Sequence, residues 1–310
     1  MNAPSGALSE AVKARARELA FDACAIAEAG SADPEDHLGA WLGQGYHADM
    51  KWMADTAAIR RDSMRKLPEA RSVVVVAKNY YQPLPPPLPT LGRIARYALG
   101  KDYHKAVKKP LVELARFIDT HHDGDRSYVS VDSGPVMERS WAERSGLGWI
   151  GKNSLVLRRD IGSWFFLGVI LTPLELAPDA PVADQCGTCT ACLDACPTGA
   201  IVSPKVVDSN QCISYQTIEN RGEIPEALHK DMGSWVFGCD ICQEVCPWNR
   251  FARPTTEAAF APRATQDDLE LERLASLEED AFDALFHGTP VRRTKLRGMR
   301  RNAQIALGNG

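Results

Sequence analysis

The sequence predicts a mixed α+β or α/β protein in three parts: an α/β domain over 1–175, a cysteine-rich domain over 176–255 and a helical tail over 256–310. Three observations carry this. Helical periodicity alternates with β-branched runs as far as residue 175, eight of the nine cysteines crowd into 186–246, and apolar residues return to helical spacing after Thr265.

Within the first part, Leu8, Val12, Ala16 and Leu19 predict a helix over 8–20, and FDACAIA at 21–27 a strand in which the lone Cys24 packs as a small apolar residue. PEDHLGAWLGQGYHADMKWM at 34–53 reads as a second helix. Ser72–Ala77 is a continuous β-branched run of the kind buried on both faces of a sheet. The proline-rich stretch 82–93 should lie extended on the surface. A helix is expected over 105–120, an alternating strand over 127–134 and a helix over 137–147. Two apolar runs within 154–172 flank Arg159-Asp160-Ile161-Gly162, a hairpin signal. In the tail, Leu269, Leu271, Leu274, Leu277, Phe282 and Leu285 are helically spaced, with Ser276-x-x-Glu279 as a capping box.

Composition excludes several classes. Hydrophobic residues at 45% and charged residues at 25% describe an ordinary globular chain rather than a disordered one. A net charge of −4 gives no global attraction to nucleic acid, so a polyanion would have to meet a local basic patch. The N-terminus lacks an apolar stretch of signal-peptide length and no uncharged run could span a bilayer, so a cytosolic setting without membrane attachment is expected. Thiols stay reduced there, and nine cysteines then imply metal or catalysis rather than disulfides.

The cysteines say which. Cys186-x₂-Cys189-x₂-Cys192-x₃-Cys196-Pro197 is the bacterial ferredoxin run, in which the fourth cysteine serves a neighbouring cluster. The partner set is Cys212, Cys239, Cys242 and Cys246-Pro247. Spacing therefore assigns one [4Fe–4S] cluster to Cys186, Cys189, Cys192 and Cys246, and a second to Cys196, Cys212, Cys239 and Cys242. Zinc also takes Cys-x-x-Cys pairs, but its sites rarely interleave eight cysteines with two Cys-Pro ends. An insert, 213–238, separates Cys212 from Cys239 where a plain ferredoxin has two residues, and it is placed to touch a substrate or second cofactor. Clusters move single electrons, and the long segment ahead of Cys186 is where those electrons should end.

The segments RYALGKDYH (96–104), VDSGPVMERSWAERSGLGWIGKNSLVL (131–157), CISYQTIENRG (212–222) and GCDICQEVCPWN (238–249), with the cluster run, resemble the epoxyqueuosine reductases. The resemblance implies a cobalamin-dependent relative of the reductive dehalogenases, with a nitroreductase-like cobalamin domain followed by a ferredoxin-like domain. It implies reduction of the epoxide of epoxyqueuosine at the tRNA anticodon wobble position to queuosine, the last step of queuosine biosynthesis, using two electrons and a proton. Asp132 resembles the family's catalytic aspartate and is expected to sit desolvated against an apolar cofactor, holding its proton; propensity alone would make it a turn residue.

The same resemblance assigns cofactor contacts to Tyr97, His104, Asn153, Ser154, Ser214 and Tyr215, and to Arg60 from an Arg-x-Asp-Pro pattern in which Ser63 replaces the proline. Glu138, Asp102 and Tyr103 fall in the same blocks without a defined role. Arg139 and Lys152 would meet tRNA phosphates, as would Arg297, Arg300 and Arg301 in the basic run 291–302, whose bland alternative is a solvated helix face. Tyr215 would stack on an extruded anticodon base or pack in the core. Asp119-x-His121-x-x-Gly124 matches a cobalt-histidine signature, but it follows a helix and reads as chance; the resemblance implies cobalamin without a protein histidine. Family members continue past Arg301-Asn302-Ala303 into a helical-repeat region, which this chain would lack. Expected partners are tRNA and a reduced flavodoxin or ferredoxin, with the chain a monomer. A dehalogenase-like enzyme and a pure electron-transfer module are the competing readings.

Overall fold

A computed structural model describes residues 6–124 and 126–309. Helix α1 (Gly6–Glu18) leads into β1 (Ala23–Glu28). The expected second helix is two short ones, α2 (His37–Gly43) and α3 (Lys51–Asp55), and a further short helix, α4 (Ala57–Arg61), follows them. Gly45 and Ala48 between α2 and α3 take positive φ, which no helix continues.

Strand β2 (Ser72–Asn79) is buried along its whole length, as its apolar run requires. The short strand β3 (Arg93–Ile94) follows the proline-rich loop, and α5 (Tyr103–Asp119) then precedes β4 (Tyr128–Ser130), shorter than its alternating sequence suggested. Beyond α6 (Glu138–Arg144) come β5 (Trp149–Ile150), β6 (Val156–Leu157) and β7 (Phe165–Thr172). The long hairpin expected at 154–172 is corrected here. Strand β6 pairs with β5, β7 joins the main sheet, and the Arg159-Asp160-Ile161-Gly162 turn is closed only by an Arg158–Gly162 bridge.

The sheet order is β1-β2-β7-β4 and every pairing in it is antiparallel, so the domain is α+β. One face receives α5, whose Val107, Leu111, Leu114 and Ile118 meet Val74, Val76 and Ile170. On the other, Trp141 and Ala142 of α6 meet Val73, Val75 and Val169. Gly168 lets α5 press close, since a Cβ there would lie 2.8 Å from Leu111. Cys24 packs against the first of these clusters, and burial pushes its thiol up to about 12.

The cysteine-rich part is built from α7 (Ala191–Asp194), the hairpin of β8 (Ile201–Ser203) and β9 (Val206–Val207), α8 (Ile213–Ile218), α9 (Glu226–His229), β10 (Trp235–Phe237) and α10 (Ile241–Glu244). Strand β10 pairs in parallel with β3, tying the insert to the first part of the chain.

The C-terminal segment is helical as expected, in α11 (Leu271–Ser276), α12 (Glu279–Phe286) and α13 (Lys295–Leu307), but it is not a loose tail. Leu274, Phe282, Phe286 and Met299 bury against Ile94, Val236 and Phe237. The expected capping box does not form: Ser276 ends α11, and its hydroxyl donates back to Glu272 O at 2.9 Å. Asn302 is wholly buried, its amide donating to Thr217 O at 2.9 Å and to Val236 O at 2.8 Å. Replacing it by alanine takes the side-chain donor from Val236 O, leaves Thr217 O with the Thr294 hydroxyl at 2.8 Å alone and opens a void in the interior, a cost of about 2 kcal/mol. Asn302→Ala should therefore lower the thermal midpoint by several degrees, and an unchanged midpoint would show that the C-terminal helices are not part of the core.

Candidate active site and metal centres

Strand β4 ends at Ser130 with Val131 anchored in the core, and the next residue, Asp132, takes φ 52°. A left-handed aspartate is a strained turn that must be held by its surroundings. The Tyr103 phenol donates to Asp132 Oδ2, and His104 Nε2 stands 3.9 Å from the same oxygen. Both partners come from the first turn of α5. Asp102 caps that helix, accepting from His104 N at 3.0 Å and pairing with His104 Nδ1 at 2.7 Å.

The rings form a stack. His104 lies 4.2 Å from Tyr103, which lies 4.2 Å from Phe166 on the other side at an interplanar angle of 4°. Tyr97 meets Tyr103 edge-on at 5.9 Å. Burial, then the Asp132 charge, drives the Tyr103 phenol upward, so it remains a proton donor throughout the physiological range. The hydrogen bond to Asp102 raises His104 and favours its cationic form.

The expected desolvation belongs to a different carboxyl. Asp132 has a side chain 65% exposed, whereas Glu138, at the start of α6, is half-buried and accepts from Ser130 Oγ at 3.1 Å. Burial and then the Asp132 charge push Glu138 from the usual 4.5 up to about 7. Arg60 faces both carboxylates electrostatically, held by Nε to Thr56 Oγ1 at 2.8 Å and Nη1 to Val136 O at 3.4 Å. Gly134 makes the tight passage possible: a Cβ there would fall 2.5 Å from the Tyr128 hydroxyl and 2.7 Å from Ser130 Oγ.

Because folding raises the Glu138 value, its contribution is fully present at low pH and is lost as pH climbs from about 4.5 through about 7. At 1.36 kcal/mol per unit the whole effect is on the order of 3 kcal/mol. Glu138→Gln should remove this slope, gaining stability relative to the parent as pH rises from about 5 to about 8. Parallel stability curves for the two proteins would contradict it.

The eight cysteines gather as two groups. Cys186, Cys189, Cys192 and Cys246 line one cradle of ≈ 210 Å³ together with Lys152, Asn153 and Trp248. Cys196, Cys212, Cys239 and Cys242 form the second, deeper group, each felt electrostatically by others of the set. Among the described residues no three metal-binding side chains close on a single ion; a cube takes one thiolate per iron and so holds its sulfurs apart. Backbone N–H groups already aim at the sulfurs, from Ser214 and Tyr215 to Cys212, from Ile241 to Cys239, and from Trp248 and Asn249 to Cys246. Burial pushes Cys239 up to about 12 and Cys242 well above its ordinary value, so these thiols favour charge only against a cationic centre. Tyr97 and Cys239 pack against the same cluster, and Tyr97 also meets Tyr103, so two rings, Tyr97 and Tyr103, lie between the deep group and Asp132.

Several expected contacts fall elsewhere. Lys152 donates to Gly187 O at 2.8 Å and Cys189 O at 2.9 Å, bracing the outer cysteine loop instead of awaiting a phosphate. Asn153 binds Cys242 O at 3.3 Å and also serves the cysteine loops. Ser214 reaches its site through its backbone. Tyr215 is not a stacking ring: it is buried, accepting from Asp49 N at 3.1 Å and donating to Asp49 Oδ2 at 3.3 Å. Arg139 donates to Ser154 O at 2.7 Å. Ser154, at φ 63°, has a buried hydroxyl without a protein partner.

The basic run is largely spent on internal contacts. Arg301 donates to the carbonyls of Gln216, Asn220 and Gly222, Arg300 pairs with Glu278 at 2.9 Å, and Arg292 with Asp283 at 2.8 Å. Arg297 keeps a side chain 79% exposed despite an ion pair with Glu223 at 3.5 Å. His121 sits at the far end of α5 from His104, roughly 25 Å away by helical rise. Its signature match is thus remote from the site. The sequence places Tyr103 in a family block without a role and Arg293 only in the basic run; Trp52 carries no signal in the sequence at all.

A profile described as a 4Fe-4S double cluster binding domain matches residues 185–249, and one described as epoxyqueuosine reductase QueG, DUF1730, matches 60–133. The chain is 48% identical over 304 residues to the epoxyqueuosine reductase of Gloeobacter violaceus, covering 96% of this chain and 95% of that one. It belongs to the epoxyqueuosine reductase family. The Escherichia coli member is 42% identical, over 97% of this chain and 81% of its own. Among solved members, one in complex with an epoxyqueuosine-modified tRNA-Tyr stem loop superposes with a TM-score of 0.87 at 30% identity, covering 98% of this chain and 81% of that one. Another, from Bacillus subtilis, was captured with its aspartate-bearing catalytic loop swung out of the active site, at a TM-score of 0.86 and 28% identity over 98% of this chain and 82% of that one. The family's double-cluster domain gives this protein two [4Fe–4S] clusters. If the two cages are as gathered here, Cys246→Ala should lose the outer cluster alone and Cys196→Ala should damage the inner one. Iron content falling by about half in each variant, with different surviving paramagnetic signals, is the expected result.

Proposed function

We propose that this chain reduces the epoxide of epoxyqueuosine in the tRNA anticodon to the alkene of queuosine, with Asp132 as the proton donor. The observation that carries the reading is the placement of Asp132, held by Tyr103 and approached by His104, with the rings of Tyr103 and Tyr97 leading from it toward the inner cysteine cage. Family membership and a relative's complex with a modified stem loop support the substrate.

The reaction needs two electrons and one proton per epoxide, with the oxygen leaving as hydroxide. Cysteines 186, 189, 192 and 246 hold the outer cluster and 196, 212, 239 and 242 the inner one in this proposal. Cys189 is exposed, which makes the outer cage the point of entry from a reduced flavodoxin or ferredoxin. Cobalamin is the cofactor that the family resemblance implies, and the residues fit it: the buried Ser154 hydroxyl lacks an acceptor, and Tyr97, His104 and Arg60 surround Asp132. Bound there, it supplies a cobalt centre able to pass electrons to carbon.

The chain's own groups do the rest. Tyr103 occupies one oxygen of Asp132 and leaves the other to deliver a proton to the epoxide oxygen. His104, half-exposed and biased toward its cation, returns a proton from solvent. Exposure and the left-handed turn at Asp132 suit a loop that moves, as the swung-out loop of the Bacillus subtilis relative did. In this reading the enzyme works as a monomer where its tRNA substrate is found, in the cytoplasm.

Asp132→Asn should keep iron, sulfide and cobalamin binding while losing at least about 100-fold in epoxide reduction, the scale of a general acid. The measurement is mass spectrometry of an epoxyqueuosine stem loop, following loss of one oxygen. Undiminished turnover would remove Asp132 from the reaction.

A further inference from the structure

A tryptophan outside every expected contact and an arginine of the basic run stand together beside this site. Trp52 on α3 is 40% exposed, and the Arg293 guanidinium lies over its ring, 5.5 Å from the centroid. Three elements converge to place the pair. Asp49, just ahead of α3, is fastened by the Tyr215 phenol of α8. The last turn of α8 ends at Glu219, which grips Arg293 with contacts of 3.0, 3.1 and 2.9 Å. Arg293 itself follows Gly288, whose carbonyl accepts from Asp102 N at 2.8 Å, immediately beside Tyr103 and His104. The charge of Arg293 is accordingly felt by His104, and that of Asp132 by Arg293.

Here a guanidinium that a carboxylate in turn fixes lies over the indole and holds it beside the reacting acid. Glu219 neutralises Arg293, so the pair offers flat π surface rather than net charge. That chemistry suits an unpaired nucleobase better than a phosphate. We propose that Trp52, backed by Arg293, is a stacking platform for an unpaired base of the anticodon loop, holding the RNA while its modified nucleotide enters the site. The inference rests on the tRNA reading above and adds the surface that grips the loop.

The test uses the reconstituted holoenzyme and an epoxyqueuosine anticodon stem loop carrying 2-aminopurine at the neighbouring loop position. Stacking quenches that probe. Trp52→Ala should weaken binding roughly ten-fold, abolish the quench and raise KM while leaving kcat within about two-fold; Trp52→Phe should restore most of each. The salt dependence of binding should not change in Trp52→Ala, because no phosphate contact is lost, whereas Arg297→Ala should reduce its slope. Wild-type affinity and quench in Trp52→Ala would overturn the platform. So would a loss of cobalamin affinity in that variant with RNA binding intact, which would assign the ring to the cofactor. A wild-type enzyme that quenches the probe but leaves the epoxide unreduced would instead sink the functional reading and leave the platform in place.

Discussion

The parallel pairing of β3 with β10 is the constraint on which the rest depends. Arg93 N donates to Ser234 O at 2.7 Å and Ala95 N to Phe237 O at 2.8 Å, and Asp240 then accepts from Arg96 N at 2.8 Å. The ladder is only a few residues long. Yet the chain leaves β3 directly into Tyr97 and Tyr103, and leaves β10 directly into Cys239 and Cys242. Two stretches more than a hundred residues apart in sequence are thereby set edge to edge, with the acid on one side and the inner cage on the other. The C-terminal helices bury this join through Phe286, Met299 and Asn302, which explains why a segment so far from the chemistry carries a fully buried amide.

What could be read beforehand follows a physical divide. Covalent spacing was informative: the Cys-x-x-Cys runs and the Cys-Pro pairs constrain thiolate positions by chain geometry alone, and the cages gather in the sets that spacing gave. Uninterrupted burial was equally plain in Ser72–Ala77. Long-range pairing was not. The apolar stretch at 154–172 carries a hairpin's local signature, but β2 offers β7 a longer partner than β6 could, and tertiary pairing prevailed over the turn.

Charge was the least legible property. A cluster of arginines looks free when the acids that neutralise it lie elsewhere in the chain; Glu219, Glu278 and Asp283 all reach the run 291–302 from other elements. Lys152 is similar, its ammonium absorbed by two carbonyls of the loop it braces. The carboxyls show the same limit. Asp132 and Glu138 lie six residues apart, and nothing in their letters says that the second is the more enclosed one; that follows from where β4 stops and α6 begins.

The two cages differ in exposure, and that difference has a bearing on how the protein would age in air. Cys189 meets solvent, whereas burial shields Cys239 and Cys242. On the proposed electron path, oxidants arriving from outside would corrode the outer cage first. A molecule so damaged keeps its inner iron and its acid but is cut off from its supply of electrons, a fault that would escape any inspection confined to the catalytic pocket.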